Sequence, residues 1–288
     1  MNKNKIIILL FVAMFSVSLS PIIAKTLSEV SSSVISFWRM SFATVLIYFL
    51  SMLSNQSKMK KKNYYKSILA GMLLGLHFVF FFQAIKFTSI SNATFLGTLA
   101  PFFTFIIEVF LFKKKFFVKQ IGWLFSILFG SFILVLNNFD ISSQSTIGNL
   151  YAIVCSFFFG IVFIISNQVR KDESLFAYTK ILYFVASLTL FFICMFNKEN
   201  ILGYSFNEYM LLFLLGLVPT VVGHSIFNYS VKYIRPTIVA CFPLGEPIIA
   251  SVLAFILFHE SINISIFVGG PLILFGLLKM ITVTSEVR

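Results

Sequence analysis

Few ionisable residues in this chain fall near the middle of an apolar run, and Glu246 is one of them. It sits in PLGEPII, inside the apolar run TIVACFPLGEPIIASVLAFILF, nine residues past the start of that run. At ~1.5 Å per helical residue this is ~13.5 Å, close to the middle of a ~30 Å hydrocarbon core. Insertion scales put a charge at that depth at about 2.5–3.5 kcal/mol. A carboxyl avoids the cost by taking up a proton, so Glu246 is a candidate proton acceptor. A structural hydrogen bond to a neighbouring helix is the competing reading.

Two histidines lie in similar runs. His77 is ~15 Å into its run, again near mid-depth. His224 is nearer one end, with Asn228 one turn on and on the same face. An imidazole at either place can carry a proton near neutral pH or hydrogen-bond a substrate. It can equally be a satisfied interhelical histidine. Arg39 and Lys180 stand within about a turn and a half of the ends of their runs. They are candidate gate charges, or they reach the interface along their own stems. Glu108 is expected to reach out in the same way or to pair with a nearby lysine. Phe81 and Tyr229 are candidates for the apolar wall of a pocket.

Pro243, Gly245 and Pro247 interrupt the run around Glu246. Pro247 has no N–H with which to bond back to the Pro243 carbonyl. A carbonyl freed at that depth needs protein or cavity water to satisfy it, so the stretch is expected to line a cavity. A kink that only serves packing is the alternative.

The elements that must position these groups follow from composition. The 288 residues are 59% hydrophobic and 11% charged, with mean hydropathy +0.97 and 39 phenylalanines. Soluble domains have about 25% charged residues. The bilayer is the solvent here. Ten apolar stretches are long enough to span it: 5–24, 33–53, 67–86, 92–112, 119–137, 146–168, 176–196, 208–231, 237–257 and 262–283. The first has the look of a signal peptide, but it has a counterpart later in the chain and is read as a span. The connections leave no room for a soluble domain. Cys155, Cys194 and Cys241 lie in apolar runs without metal-ligand spacing and read as small buried side chains.

Lysine and arginine positions orient the spans. With the N-terminus in the cytoplasm, the inner segments hold Lys3, Lys5, Lys58, Lys60, Lys61, Lys62, Lys66, Lys113, Lys114, Lys115, Lys119, Arg170, Lys171, Lys232, Arg235, Lys279 and Arg288. The outer segments hold only Lys25, Lys86 and Lys198. Both termini are therefore expected in the cytoplasm. The formal charge of +12 is a topology signal facing anionic lipid, with no need of nucleic acid.

The chain also repeats itself. AIKFTSISNATFLGTLAPFFTFIIEVFLF, from Ala84, aligns with SVKYIRPTIVACFPLGEPIIASVLAFILF, from Ser230, at an offset of 146. Lys86 meets Lys232, Pro101 meets Pro247, and Gly130 meets Gly276. His77 and His224 are one residue out of register, and Arg39 faces Lys180 at an offset of 141. Two halves follow, 1–140 and 141–288, each of five spans. Five is odd, so the second half enters the membrane from the opposite side. Inverted repeats of this kind build alternating-access transporters, with the site near mid-membrane between the halves. Pro101 and Pro247 are thereby scaffold, whereas Glu246 falls on Ala100 and breaks the symmetry.

Two five-helix halves, Arg39 in FWRMSF, the segments PFFTFIIEVFLF and EPIIASVLAFILFHESI, and glycines closing each half at Gly130 and Gly276 together resemble the EamA family of the drug/metabolite transporter superfamily. The resemblance implies an all-α integral membrane protein of ten helices around a central cavity. It implies export or exchange of a small metabolite, such as an amino acid or related compound, driven by protons or by exchange. A glutamate commonly follows the apolar run of the fourth and ninth helices. Glu260 fits that place, but Lys114 stands there in the first half.

A membrane-embedded enzyme is disfavoured, since no HExxH, GxSxG, acidic metal cluster or cofactor motif occurs. A channel or scaffold is the other alternative, and it would need no titratable group at mid-depth. The low charge of the presumed cavity favours amino acids or neutral, aromatic metabolites over nucleotide sugars. The Phe, Lys, Ile and Asn content suggests an AT-rich bacterial genome, hence a bacterial inner membrane. The sequence names no oligomeric state.

Overall fold

A computed structural model describes residues 3–53, 59–88, 90–136, 145–259 and 262–285. Lys58, Glu260 and Arg288 lie outside the described residues. Regular structure within them is entirely helical. The first half contains α1 (Lys3–Thr26), α2 (Ser32–Met52), α3 (Lys61–Phe87), α4 (Ile90–Gly97), α5 (Ala100–Ile106) and α6 (Val118–Val135). The second contains α7 (Thr146–Arg170), α8 (Leu175–Phe196), α9 (Phe206–Leu215), α10 (Ser225–Ser230), α11 (Pro236–Ala240), α12 (Glu246–Phe258) and α13 (Ser265–Ser285).

Nine stretches among the described residues are long and apolar enough to cross a membrane, and Phe95–Leu111 is a shorter tenth. Helix α3 starts six residues before the expected span, because Lys61, Lys62 and Lys66 continue the helix past the apolar run. Serines begin several of the helices. Ser31 and Ser174 accept from Val34 and Ala177 N–H, and Ser205 forms a capping box with Glu208. Large apolar side chains such as Phe129, Phe192 and Phe255 point outward, as lipid-facing residues must.

Three spans are not simple α-helices. The fourth breaks at Thr98–Leu99, and α5 runs on into a π-helical turn at Ile107–Leu111. The eighth passes from α9 through π-helical Gly216–His224, which contains Pro219, into α10. The ninth changes from α11 to a 3-10 turn at Phe242–Gly245 before α12. The expected single kink is thus a break, with Pro247 inside the first turn of a new helix, where its missing N–H costs nothing. The Pro243 carbonyl is not left to cavity water: the Glu246 N–H donates to it.

Helix contacts follow an exchange of halves. Helix α3 packs on α7 and α8, and its counterpart, the eighth span, packs on α1 and α2. Helices α4 and α5 pack on α7, and α12 packs on α1. The pairs α2–α8 and α6–α13 join counterparts directly. The last pair is set by glycines: a Cβ on Gly130 would stand 2.8 Å from the Gly269 carbonyl oxygen, and one on Gly276 would meet Ile127 Cγ1 at 2.6 Å. Small residues let backbones approach where lipid supplies no hydrophobic drive. The chain is thus two inverted five-helix repeats, interleaved in one bundle.

Candidate functional site

Arg39 on α2 does not reach the interface. It is 7% exposed, donating from Nε to Thr220 Oγ1 at 2.8 Å and from Nη1 to Ser20 Oγ at 2.9 Å. Its guanidinium lies over the Phe78 ring at 5.1 Å. The π-helical turn positions one of these partners, since Thr220 lies within it and bonds the Leu215 carbonyl five residues back. π-Helical turns recur at functional sites because they re-aim side chains. The Phe78 ring under the guanidinium is in edge contact with the His77 ring at 5.1 Å.

Glu246 is the first residue of α12, where the positive end of the helix dipole favours a carboxylate. Buried Pro243 and Gly245 hold the break, and Gly245 lies against Met14 of α1, whose Sδ would be 2.3 Å from a Cβ there. Met14 therefore admits only glycine beside Glu246 without moving. Pro101, the counterpart of Pro247, is likewise buried in the first turn of α5.

His77 Nδ1 meets the Cys155 carbonyl oxygen and Sγ, both at 3.1 Å. Its ring stacks on Phe159 at 4.5 Å, and His224 faces the same Phe159 ring at 5.8 Å. The two related histidines thus flank one aromatic side chain of α7. His224 and Asn228 line a pocket of about single-water size, together with Leu74, Phe159, Val162 and Leu182. Asn228 Oδ1 accepts from Ser166 Oγ at 2.8 Å, and Ser166 in turn bonds Tyr178 at 2.6 Å.

Glu246, His77 and His224 are half-buried. Among the described residues, none hydrogen-bonds the Glu246 carboxylate, Arg39 Nη2, His77 Nε2 or the His224 ring nitrogens. None of these atoms is sealed off either; the sealed and unpartnered side-chain atom is Ser230 Oγ. Charge, donors and acceptors are therefore left with bonds still to make.

The other sequence candidates fall around this cluster. Phe81, one turn from His77, packs near Gly97 at the break in the fourth span. Tyr229 pairs with Tyr233 at 5.2 Å. Lys180 is half-buried on α8 and takes no part in the cluster. Glu108 neither reaches the interface nor pairs with a lysine. It is 4% exposed, and its Oε2 accepts from Thr237 N–H at 3.1 Å and Oγ1 at 2.6 Å, tying the fourth span to the start of α11. Sequence reasoning passed over Thr220, Tyr183 and Ser20. A hydroxyl in an apolar run carries no signal until its partner is known.

This arrangement coincides with the family to which the two halves match. The EamA-like transporter family matches residues 4–136 and 146–282. The chain belongs to this family. An uncharacterized transporter of Archaeoglobus fulgidus is 26% identical over 199 residues, 69% of each chain. The pseudopaline exporter CntI of Pseudomonas aeruginosa is 23% identical over 235 residues, 81% of each. A solved crystal structure superposes at TM-score 0.84 over the whole of both chains with 14% identity, which establishes the shared fold. The EamA protein described here is a multi-pass membrane transporter.

Proposed function

We propose that the chain is a secondary active exporter or exchanger of a small metabolite, an amino acid or related compound, working by alternating access in the cytoplasmic membrane. Both termini face the cytoplasm in this reading. The halves 1–140 and 141–288 are the moving units. The observation that carries the proposal is the Glu246 carboxylate, unpartnered at a helix break whose Gly245 packs on Met14 of α1, the helix that also holds Arg39 through Ser20. The name of the Pseudomonas relative supports export as the direction.

In this mechanism Glu246 takes a proton when the internal space opens to one side. Neutral, it no longer attracts Arg39, and the arrangement between the halves is free to change. Opening to the other side returns the proton to water. Arg39, His77 and His224 offer the substrate a cation and ring nitrogens, with Phe159 as an apolar surface. The test is amino-acid flux into proteoliposomes under a pH gradient. Glu246→Gln is expected to fold and bind but to lose the response to the gradient. Parent-like pH-driven flux in that variant would contradict the proposal.

A further inference from the structure

The end of the bundle that carries both termini is closed differently from the opposite end. Helix α7 finishes there at Arg170, which is 3% exposed. Its Nε donates to the Asn228 carbonyl at 3.2 Å, and its Nη1 donates to the Glu173 carbonyl. The Glu173 side chain, 5% exposed, crosses to the other half. Its Oε1 accepts from Asn63 Nδ2 at 2.7 Å and from Lys60 N–H at 3.1 Å. Outside these, Asp172 pairs with Lys60 at 3.3 Å, and the hydrogen bond and charge of Lys60 hold its carboxyl below the usual range.

The counterpart junction, where α1 leaves the bundle against α9, is at the opposite end. Its buried core is apolar: Leu27, Val30, Val34, Leu212 and Leu215 form one cluster, and the hydrogen bonds from Ser31 to Glu199 and from Trp38 Nε1 to the Ile201 carbonyl are exposed or only partly buried. The two seals respond differently to water. Opening an apolar seal exposes hydrocarbon, a cost proportional to area. Opening a polar one exchanges protein hydrogen bonds for hydrogen bonds to water, so the net cost is modest.

We infer that Arg170, Glu173 and Asn63 form a polar latch that holds the termini-bearing end shut and must part for the central space to open there. The inference rests on the transporter reading for its purpose and on these contacts for its geometry. Asn228 joins the two sites, because its carbonyl takes Arg170 while its side chain lines the pocket beside His224. Leu74 lines the same pocket from α3, the helix that carries Asn63, so parting Glu173 from Asn63 draws that wall away.

Thiol labelling tests this without a transport assay. A single cysteine at Val162, a pocket residue, is placed in a chain whose Cys155, Cys194 and Cys241 are changed to alanine. The rate of maleimide labelling is then followed on purified protein. Glu173→Gln is expected to raise that rate about tenfold, the population shift that follows loss of a hydrogen bond to a charged group. Asn63→Ala, which removes only the donor on α3, is expected to shift it in the same direction and serves if Glu173→Gln fails to fold. Glu199→Ala, which removes the exposed partner of Ser31 at the opposite end, is expected to leave it unchanged. An unchanged rate in the folded latch variants, or an equal rise in Glu199→Ala, would overturn the latch. Glu246→Gln flux bears only on the proton reading, so either idea can fail alone.

Discussion

Arg39 ties the two halves together through its side chain. Its fork is split between Thr220, on the other half, and Ser20, on its own. A lysine keeps the charge but offers no planar fork to hold both hydroxyls. Arg39→Lys is expected to fold and to lower flux by about tenfold or more, the equivalent of one charge-assisted hydrogen bond. Arg39→Met should abolish flux. Parent-like rates in Arg39→Met would show that the charge is not part of the transport site. The depth of Arg39 was illegible in the chain. Counting along an apolar run places it near one end, and only the packing of α2 on α8 and the eighth span turns its side chain inward. Glu108 is a similar case, since its partner Thr237 lies 129 residues away. The place of Glu246 at a helix break was legible, because Pro243 and Pro247 flank it within an apolar run.

The elements were easier to read than their irregularities. Apolar length alone locates the spans, because an unsatisfied backbone cannot sit in hydrocarbon. The 3-10 turn in the ninth span was foreshadowed by Pro243 and Pro247. The π-helical Gly216–His224 was not, because Pro219 alone does not distinguish a kink from an added residue per turn. The α6–α13 pair gives an element-level prediction. A Cβ on Gly269 would stand 2.5 Å from the Gly130 carbonyl oxygen, while Gly122 on the same pair has nothing within 4 Å. Gly269→Ala is therefore expected to destabilise by about 1–3 kcal/mol, as overpacking does. Gly122→Ala should be neutral or stabilise by up to about 1 kcal/mol through helix propensity. Thermal unfolding of the purified variants checks both, and equal melting temperatures would contradict the close approach.

At the scale of the molecule, the two halves share a plan but differ where function is expected. The third span is continuous and the eighth is π-helical; Ala100 stands where the second half has Glu246; one end is closed by a buried polar network and the other by a mainly apolar one. In the proposed mechanism the conformational differences would be exchanged between the halves, whereas the carboxyl stays on one side. The central claim is that Glu246 carries the proton in that exchange. Vesicles containing the protein and an internal pH-sensitive dye test it most directly, with amino acids supplied outside and no pH gradient imposed. The account predicts that a transported substrate shifts internal pH in the parent and is without effect on pH in Glu246→Gln. A proton signal of parent size in that variant would contradict it.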